Sequence, residues 1–404
     1  MNKEIGRRWI CFHNHRKISG DGRSMPFITL NLSYKMNNIL AKIIPLIVLG
    51  LFALMIFYIS TRLRIHFNLP SKSIVTISVA TILAAAVVSI FWAVKSTSNF
   101  IGALSVAGGY ILVFSFYLLV FLLLTQLLQS IVKLPILTSG WIAVGLAFTP
   151  TIIGAVQASY FEVRELTLRM PKLQNKLDVM VISDVHLGHH RGKDYLEKIV
   201  GEANKRNPDI ILLAGDLMDA EVALFSEILR PLLDFKAPAY YVSGNHEKAI
   251  DEQKAIKLIA ENGVRILNNK VADTLGIQLV GLDYMNPDEN TFDLHPSDNK
   301  QTIKEVLSQM NWEKHKPIIL MQHSPVGIKY AKDAGVDLVV AGHTHAGQVF
   351  PFTYLARLIY DFNKGLHKSG NTTIFVSQGA GTFVSRMRLG TQNEINLLRL
   401  VPER

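Results

Sequence analysis

Four uncharged apolar stretches follow one another in this chain, at residues 43–61, 73–94, 96–132 and 134–161. Each supplies the ~20 apolar residues that cross a bilayer core. None carries a polar face at helical period, which a helix on the surface of a soluble domain would need. Residues 39–161 therefore read as a transmembrane unit of four helices. The third stretch is longer than one crossing requires, so part of 96–109 is expected to be a loop or a turn on the membrane surface. No ionisable residue lies inside the four stretches. That favours an anchor or a lipid-contacting platform over an ion or proton pathway.

The net charge of +10 is concentrated at one end of the chain. Residues 1–160 hold 13 Lys and Arg against two acids, Glu4 and Asp21, whereas residues 161–404 hold 29 basic and 30 acidic residues. A nucleic-acid enzyme would carry its basic excess on the catalytic part. Here the excess flanks apolar segments, as membrane topology requires, and no nucleic-acid partner is expected. Residues 1–38, with Arg7-Arg8, Arg16-Lys17, Arg23 and Lys35, read as a poorly ordered basic segment. No short apolar stretch follows Arg7-Arg8 closely, which counts against twin-arginine export, and Met25 and Met36 are alternative starts. Cys11 is the only cysteine, so neither an internal disulfide nor a cysteine-based zinc site can form.

Four crossings place both ends of the unit on one side. That side would carry the basic N-terminus, Lys95, Arg164, Arg169 and Lys172; the other would carry Arg62, Arg64, Lys72 and Lys133. The positive-inside bias then puts residues 162–404 in the cytoplasm.

From Leu177 the pattern changes to short apolar runs alternating with amphipathic segments, the mark of an α/β domain. Five of these runs end in polar motifs. Residues 177–182 lead to Asp184-Val185-His186, and 209–213 to Gly215-Asp216-Leu217-Met218-Asp219. Residues 239–242 lead to Gly244-Asn245-His246-Glu247, 317–321 to His323, and 336–340 to Gly342-His343-Thr344-His345. Ligands of open α/β sheets bind at the carboxyl ends of the strands. Asp184, His186, Asp216, Asn245, His323, His343 and His345 would meet there. Carboxylate, amide oxygen and imidazole together suit two first-row divalent ions without a thiolate. Gly215, Gly244 and Gly342 each precede a candidate ligand and would allow a sharp turn.

All five motifs, in this order, resemble the calcineurin-like metallophosphoesterase superfamily, with its pattern D-x-H, G-D-x-x-D, G-N-H-[DE], H and G-H-x-H. The ending Gly342-His343-Thr344-His345-Ala346-Gly347-Gln348, with Ala346 where Gly is usual, is similar to the bacterial membrane-associated branch, as are residues 376–382 and Arg388-Leu389-Gly390. The resemblance implies a two-sheet α/β sandwich over residues 162–404 and a bacterial cell-membrane protein. It does not cover the membrane unit.

The resemblance also implies the roles. Asp184, His186 and His345 would hold one ion; Asn245, His323 and His343 the other; Asp216 would bridge them. Manganese is favoured over iron or zinc. A metal-bridging hydroxide would attack phosphorus in line with the leaving oxygen. His246 would stabilise the transition state or protonate the leaving group, with Asp219 helping to orient it. His189 and His190 are expected as rim residues, not ligands.

Phosphoprotein phosphatases of this superfamily carry Arg after the second Asp of G-D-x-x-D, where this chain has Ala220. That points to phosphodiesters. The apolar, aromatic stretch 350–360 suits a membrane-interface lip, and with the anchor it suggests membrane lipids as partners and an amphipathic substrate such as a lipid-linked phosphodiester or pyrophosphate. The competing readings are a nucleotide or nucleic-acid phosphodiesterase and a non-catalytic membrane sensor or scaffold. The sequence does not fix the oligomeric state.

Overall fold

The computed structural model describes residues 28–291 and 295–403. The basic segment before Ile28, including Cys11, lies outside them. Residues 1–46 and 47–404 form separate units. The described part of the first is the beginning of a helix.

Four long apolar helices come first: α1 (Ile28–His66), α2 (Lys72–Lys95), α3 (Asn99–Gln129) and α4 (Ile136–Gln157). All four are long and apolar enough to cross a membrane. α1 begins inside the stretch read from sequence as poorly ordered. The loop or surface turn expected within 96–109 is limited to residues 96–98, because α3 runs unbroken from Asn99. The excess length has another explanation. The first turns of α3 are rich in small residues that let other groups approach its backbone. A Cβ on Gly108 would sit 2.8 Å from the Ala86 carbonyl of α2, and one on Gly102 would overlap the His189 ring.

Only residues 158–160 separate α4 from β1 (Phe161–Met170), an alternating strand that the sequence pattern did not reveal. The other strands are β2 (Leu177–Ile182), β3 (Ile210–Ala214), β4 (Ala239–Val242), β5 (Arg265–Ile266), β6 (Lys270–Thr274), β7 (Ile277–Gly281), β8 (Ile318–Met321), β9 (Leu338–Ala341), β10 (Gly365–Ser369), β11 (Thr372–Val376) and β12 (Asn393–Pro402). They form two six-stranded mixed sheets, ordered β1-β12-β2-β3-β4-β5 and β10-β11-β9-β8-β7-β6. Strands β2, β3 and β4 run parallel, as do β7, β8, β9 and β11. This is the α/β sandwich expected from the sequence.

A buried apolar layer joins the facing sheets: Val179, Leu212 and Tyr240 of the first meet Leu279, Ile319 and Val340 of the second. Helices cover each outer face. Leu196, Ile199 and Ala203 of the Lys193–Lys205 helix lie against Met180, Ile211 and Tyr241. Val306 and Leu307 lie against Val280, Leu320 and Val339. Strands covered on both faces need near-continuous apolar runs, which is why β3, β8 and β9 are buried throughout. The carboxyl ends of β2, β3, β4, β8 and β9 then open to one place.

Candidate metal centre

Asp184, His186 and His345 offer ligand atoms that all lie within 4.8 Å of one another, as do Asp216, His323 and His343. The two groups are contiguous. Asp184 Oδ1 is 3.3 Å from His345 Nε2, 4.0 Å from His186 Nε2 and 3.9 Å from His323 Nε2 of the other group. His323 Nε2 is in turn 3.0 Å from Asp216 Oδ2 and 3.2 Å from His343 Nδ1. All six side chains are buried.

The backbone explains how so many polar groups share so small a space. Asp184, His186, Asp216, His343 and His345 all have positive φ, between 45° and 72°. Such left-handed conformations are rare except for short polar residues and glycine, and they concentrate at functional sites. Only Gly215, with φ of +83°, is the turn glycine expected from the sequence. Gly244 and Gly342 serve close approach instead: a Cβ on Gly244 would overlap Asp216 Oδ1, and one on Gly342 would overlap Ser183 Oγ and Asp184 Oδ2.

The electrostatics of the cluster call for cations. Burial raises the Asp184 carboxyl, but the His345 and His323 imidazoles outweigh it and hold the group well below the usual carboxylate range. Burial opposes charge on His323, yet Asp216 and Asp184 push it up to about 10. His186 Nε2 and His345 Nε2 face each other at 2.9 Å, with Asp184 Oδ1 3.3 Å from the latter. Asn245 Oδ1 is buried without a hydrogen-bond partner among the described residues. Convergent lone pairs and an orphaned amide oxygen fit divalent cations bound by nitrogen and oxygen.

Residues 177–347 match the family model of the calcineurin-like phosphoesterases. A metallophosphoesterase of Helicobacter pylori strain 26695 is 33% identical over 269 residues, covering 64% of this chain and 70% of the relative. The chain belongs to the calcineurin-like phosphoesterases. A second Helicobacter pylori metallophosphoesterase, from strain J99, is 34% identical over 60% of this chain and 64% of its own length. A zebrafish transmembrane protein with a metallophosphoesterase domain is 31% identical over 56% of this chain and 54% of its own length. The chain therefore spans 54–70% of the length of these relatives. Its four apolar helices and its transmembrane relatives make it a membrane protein.

Around this phosphoesterase centre stand residues whose roles the motifs did not reveal. Glu247, fully buried, accepts hydrogen bonds from the backbone N–H groups of Asp216, Met218 and Gly244, at 3.1, 2.9 and 2.9 Å. One carboxylate thus ties the second motif loop to the third. Arg388, also fully buried, donates to the carbonyls of His345, Gln378 and Gly381 at 2.9, 2.6 and 2.7 Å, and to Asn393 Oδ1 at 2.9 Å. The Phe383 ring lies 4.9 Å from that of His345, and His295 lies 5.0 Å from His343. Glu247 and Arg388 stand within stretches that carry the resemblance; no sequence pattern marks Phe383 or His295.

His246 is partly exposed beside the cluster. Its backbone N–H donates to Asp216 Oδ1 at 2.9 Å, and its ring lies 4.6 Å from that of His186. Asp219 lies close to both His246 and His186. Its carboxylate is 3.7 Å from His186 Nδ1, so it faces the back of a candidate ligand as well as the His246 ring. Burial, with Asp216 and Glu247 nearby, raises its pKa well above the usual range.

The apolar helices meet the loops that surround this centre. His189 Nε2 meets the Ser96 carbonyl at 2.7 Å, and Lys95 Nζ pairs with Glu221 at 3.3 Å. Met387 approaches Gly154 of α4, whose carbonyl accepts the Arg388 N–H at 2.9 Å. The helix Phe352–Ile359 lies beside α3, with Phe352 and Phe116 rings 4.9 Å apart and Leu358 84% exposed.

Proposed function

We propose that this protein is a membrane-anchored phosphodiesterase that hydrolyses amphipathic phosphodiesters with two divalent ions, manganese favoured. The observation that carries the reading is the pair of contiguous buried triads, with His246 at their open edge, held against membrane-spanning helices. Asp184, His186 and His345 would hold one ion, Asn245, His323 and His343 the other, and Asp216 both. Bound there, the ions would clamp the phosphoryl group and lower the pKa of an attacking water.

The protein's own groups supply the rest. His246, partly exposed beside Asp216, would donate a proton to the leaving oxygen. Asp219 stands between the His186 and His246 rings, while Glu247 and Arg388 fix the loops that carry Asp216 and His345. Ala220 stands where phosphoprotein phosphatases of the superfamily carry Arg, which supports diesters. The exposed apolar face of the Phe352–Ile359 helix, beside α3, supports contact with membrane lipids. Lys95 and the residues after α4 lie on the side of the phosphoesterase body, which the positive-inside bias assigns to the cytoplasm.

The test is hydrolysis of bis-p-nitrophenyl phosphate against p-nitrophenyl phosphate, with manganese returned after chelation and Asp216→Ala run alongside. Metal-restored diester cleavage, abolished in Asp216→Ala, is the expected result. Monoester preference would overturn the substrate class, and bound metal with no hydrolysis of either ester would overturn the enzymatic reading.

A further inference from the structure

A cavity of about 300 Å³ begins at His246 and Asp219 and is walled elsewhere by Ile90 and Val94 of α2 and Leu112 of α3. Phe91, 74% exposed on α2, also lines it, so the cavity reaches from the candidate proton donor to the lipid-facing surface of a membrane-spanning helix. No Lys or Arg lines it. Its polar lining is Ser105 of α3 with His189, His190, Asp219 and His246, and His190 Nδ1 is buried and unpartnered among the described residues. A nucleoside or sugar placed here would leave most of its polar atoms without partners, at a cost for each. A hydrocarbon chain would leave none.

We infer that this cavity holds the hydrocarbon chain of the substrate, which enters sideways from the bilayer between α2 and α3 while its phosphodiester reaches the metal centre. The inference rests on the phosphodiesterase reading and adds the position of the chain. Two features of the sequence gain a purpose. Ala220, where an arginine would intrude, keeps the passage open beside Asp219. The small residues at the start of α3 bring that helix close enough to His189 and Val384 for the wall to be continuous. Val384, which lines the cavity, holds a positive φ of 61°, a strained conformation for a β-branched residue.

The test uses the full chain in nanodiscs and a series of alkyl p-nitrophenyl phosphodiesters, ethyl to octyl, below the concentrations at which they self-associate. The specificity constant should rise with chain length, by up to roughly fourfold per added methylene, and then level off as the cavity fills. Leu112→Trp, or Ile90→Trp should the first variant not insert, should abolish the rise. A flat series in the wild type, or a rise that survives both variants, overturns the inference while leaving the phosphodiesterase reading intact. A second readout needs no turnover: an octylphosphonate with a terminal diazirine is photolysed in the same nanodiscs. Labelling at Val87 or Val94 that Leu112→Trp removes, with labelling of lipid-facing Trp92 unchanged, supports the chain site. Labelling that Leu112→Trp leaves in place overturns it. Failure to hydrolyse any diester overturns the enzymatic reading, and the labelling pattern still decides the cavity.

Discussion

Gly109 of α3 lies so close to Val384 that a Cβ on the glycine would overlap the Val384 carbonyl oxygen. The next residue, Ser385, would be 2.9 Å away at its Cα. Both neighbours are backbone, so no side-chain rotation can relieve the contact. Gly109→Leu should therefore leave four helices able to insert but push the 382–388 loop from α3. Overpacking of this kind costs typically 1–3 kcal/mol. The expected outcome is normal membrane insertion, a lower thermal midpoint in nanodiscs and new protease cleavage in the loop. Unchanged cleavage would show that the loop and α3 are not held together there.

Arg388 donates to three carbonyls and the Asn393 amide oxygen, all with good geometry and no exposure. A lysine is a single point charge and cannot reproduce this fork. Arg388→Lys should therefore resemble Arg388→Met rather than the wild type. Residues that orient ligands from behind typically contribute 10- to 100-fold to metal affinity. Manganese titration should show a weakening of that order in both variants, because the backbone of His345 loses its anchor. Wild-type affinity in Arg388→Lys would remove Arg388 from the support of the centre.

His323 ties metal loading to pH. In the metal-free protein the Asp216 and Asp184 carboxylates overcome burial and hold this imidazole protonated, with a pKa of about 10. A ligand nitrogen must be deprotonated, so loading the site displaces one proton from His323 anywhere below that value. Apparent manganese affinity should rise roughly tenfold per pH unit between pH 6 and 8. Isothermal titration in buffers of different ionisation enthalpy should detect the released proton. His323→Asn should bind more weakly and with a shallower pH dependence. An affinity independent of pH in the wild type would contradict the charge state derived from Asp216.

The site was more legible in the sequence than its setting. Each motif follows a buried strand, and parallel β-topology delivers strand ends to one edge, so Asp184, Asp216, His323, His343 and His345 could be brought together from order and spacing alone. What the glycines do could not be read. Gly244 and Gly342 matter for what approaches them, and approach depends on neighbours far away in the chain. For the same reason the start of α3 looked like surplus length, when its small residues are an interface. β1 escaped notice because it opens directly from α4, where an apolar helix pattern passes into a short alternation with only residues 158–160 between. Asp219 lies near His246, as the motif spacing implies, but its approach to His186 Nδ1 at 3.7 Å depends on the left-handed turn at His186, which spacing does not encode.

His246 offers the sharpest separation of chemistry from metal binding. Its backbone N–H is bound to Asp216, but its ring is partly exposed and makes no hydrogen bond to any candidate ligand. His246→Ala should consequently keep both ions, as measured by metal analysis after gel filtration. Removal of a positioned proton donor typically costs ~100- to 10,000-fold in rate. The loss should depend on the leaving group, since p-nitrophenolate needs little protonation and an alkoxide needs much. His246→Ala is thus expected to retain much of its turnover on bis-p-nitrophenyl phosphate and to lose far more on a dialkyl phosphodiester. Equal losses on both would assign His246 to binding the phosphoryl oxygens in the transition state, while loss of metal would return it to a structural role beside Asp216.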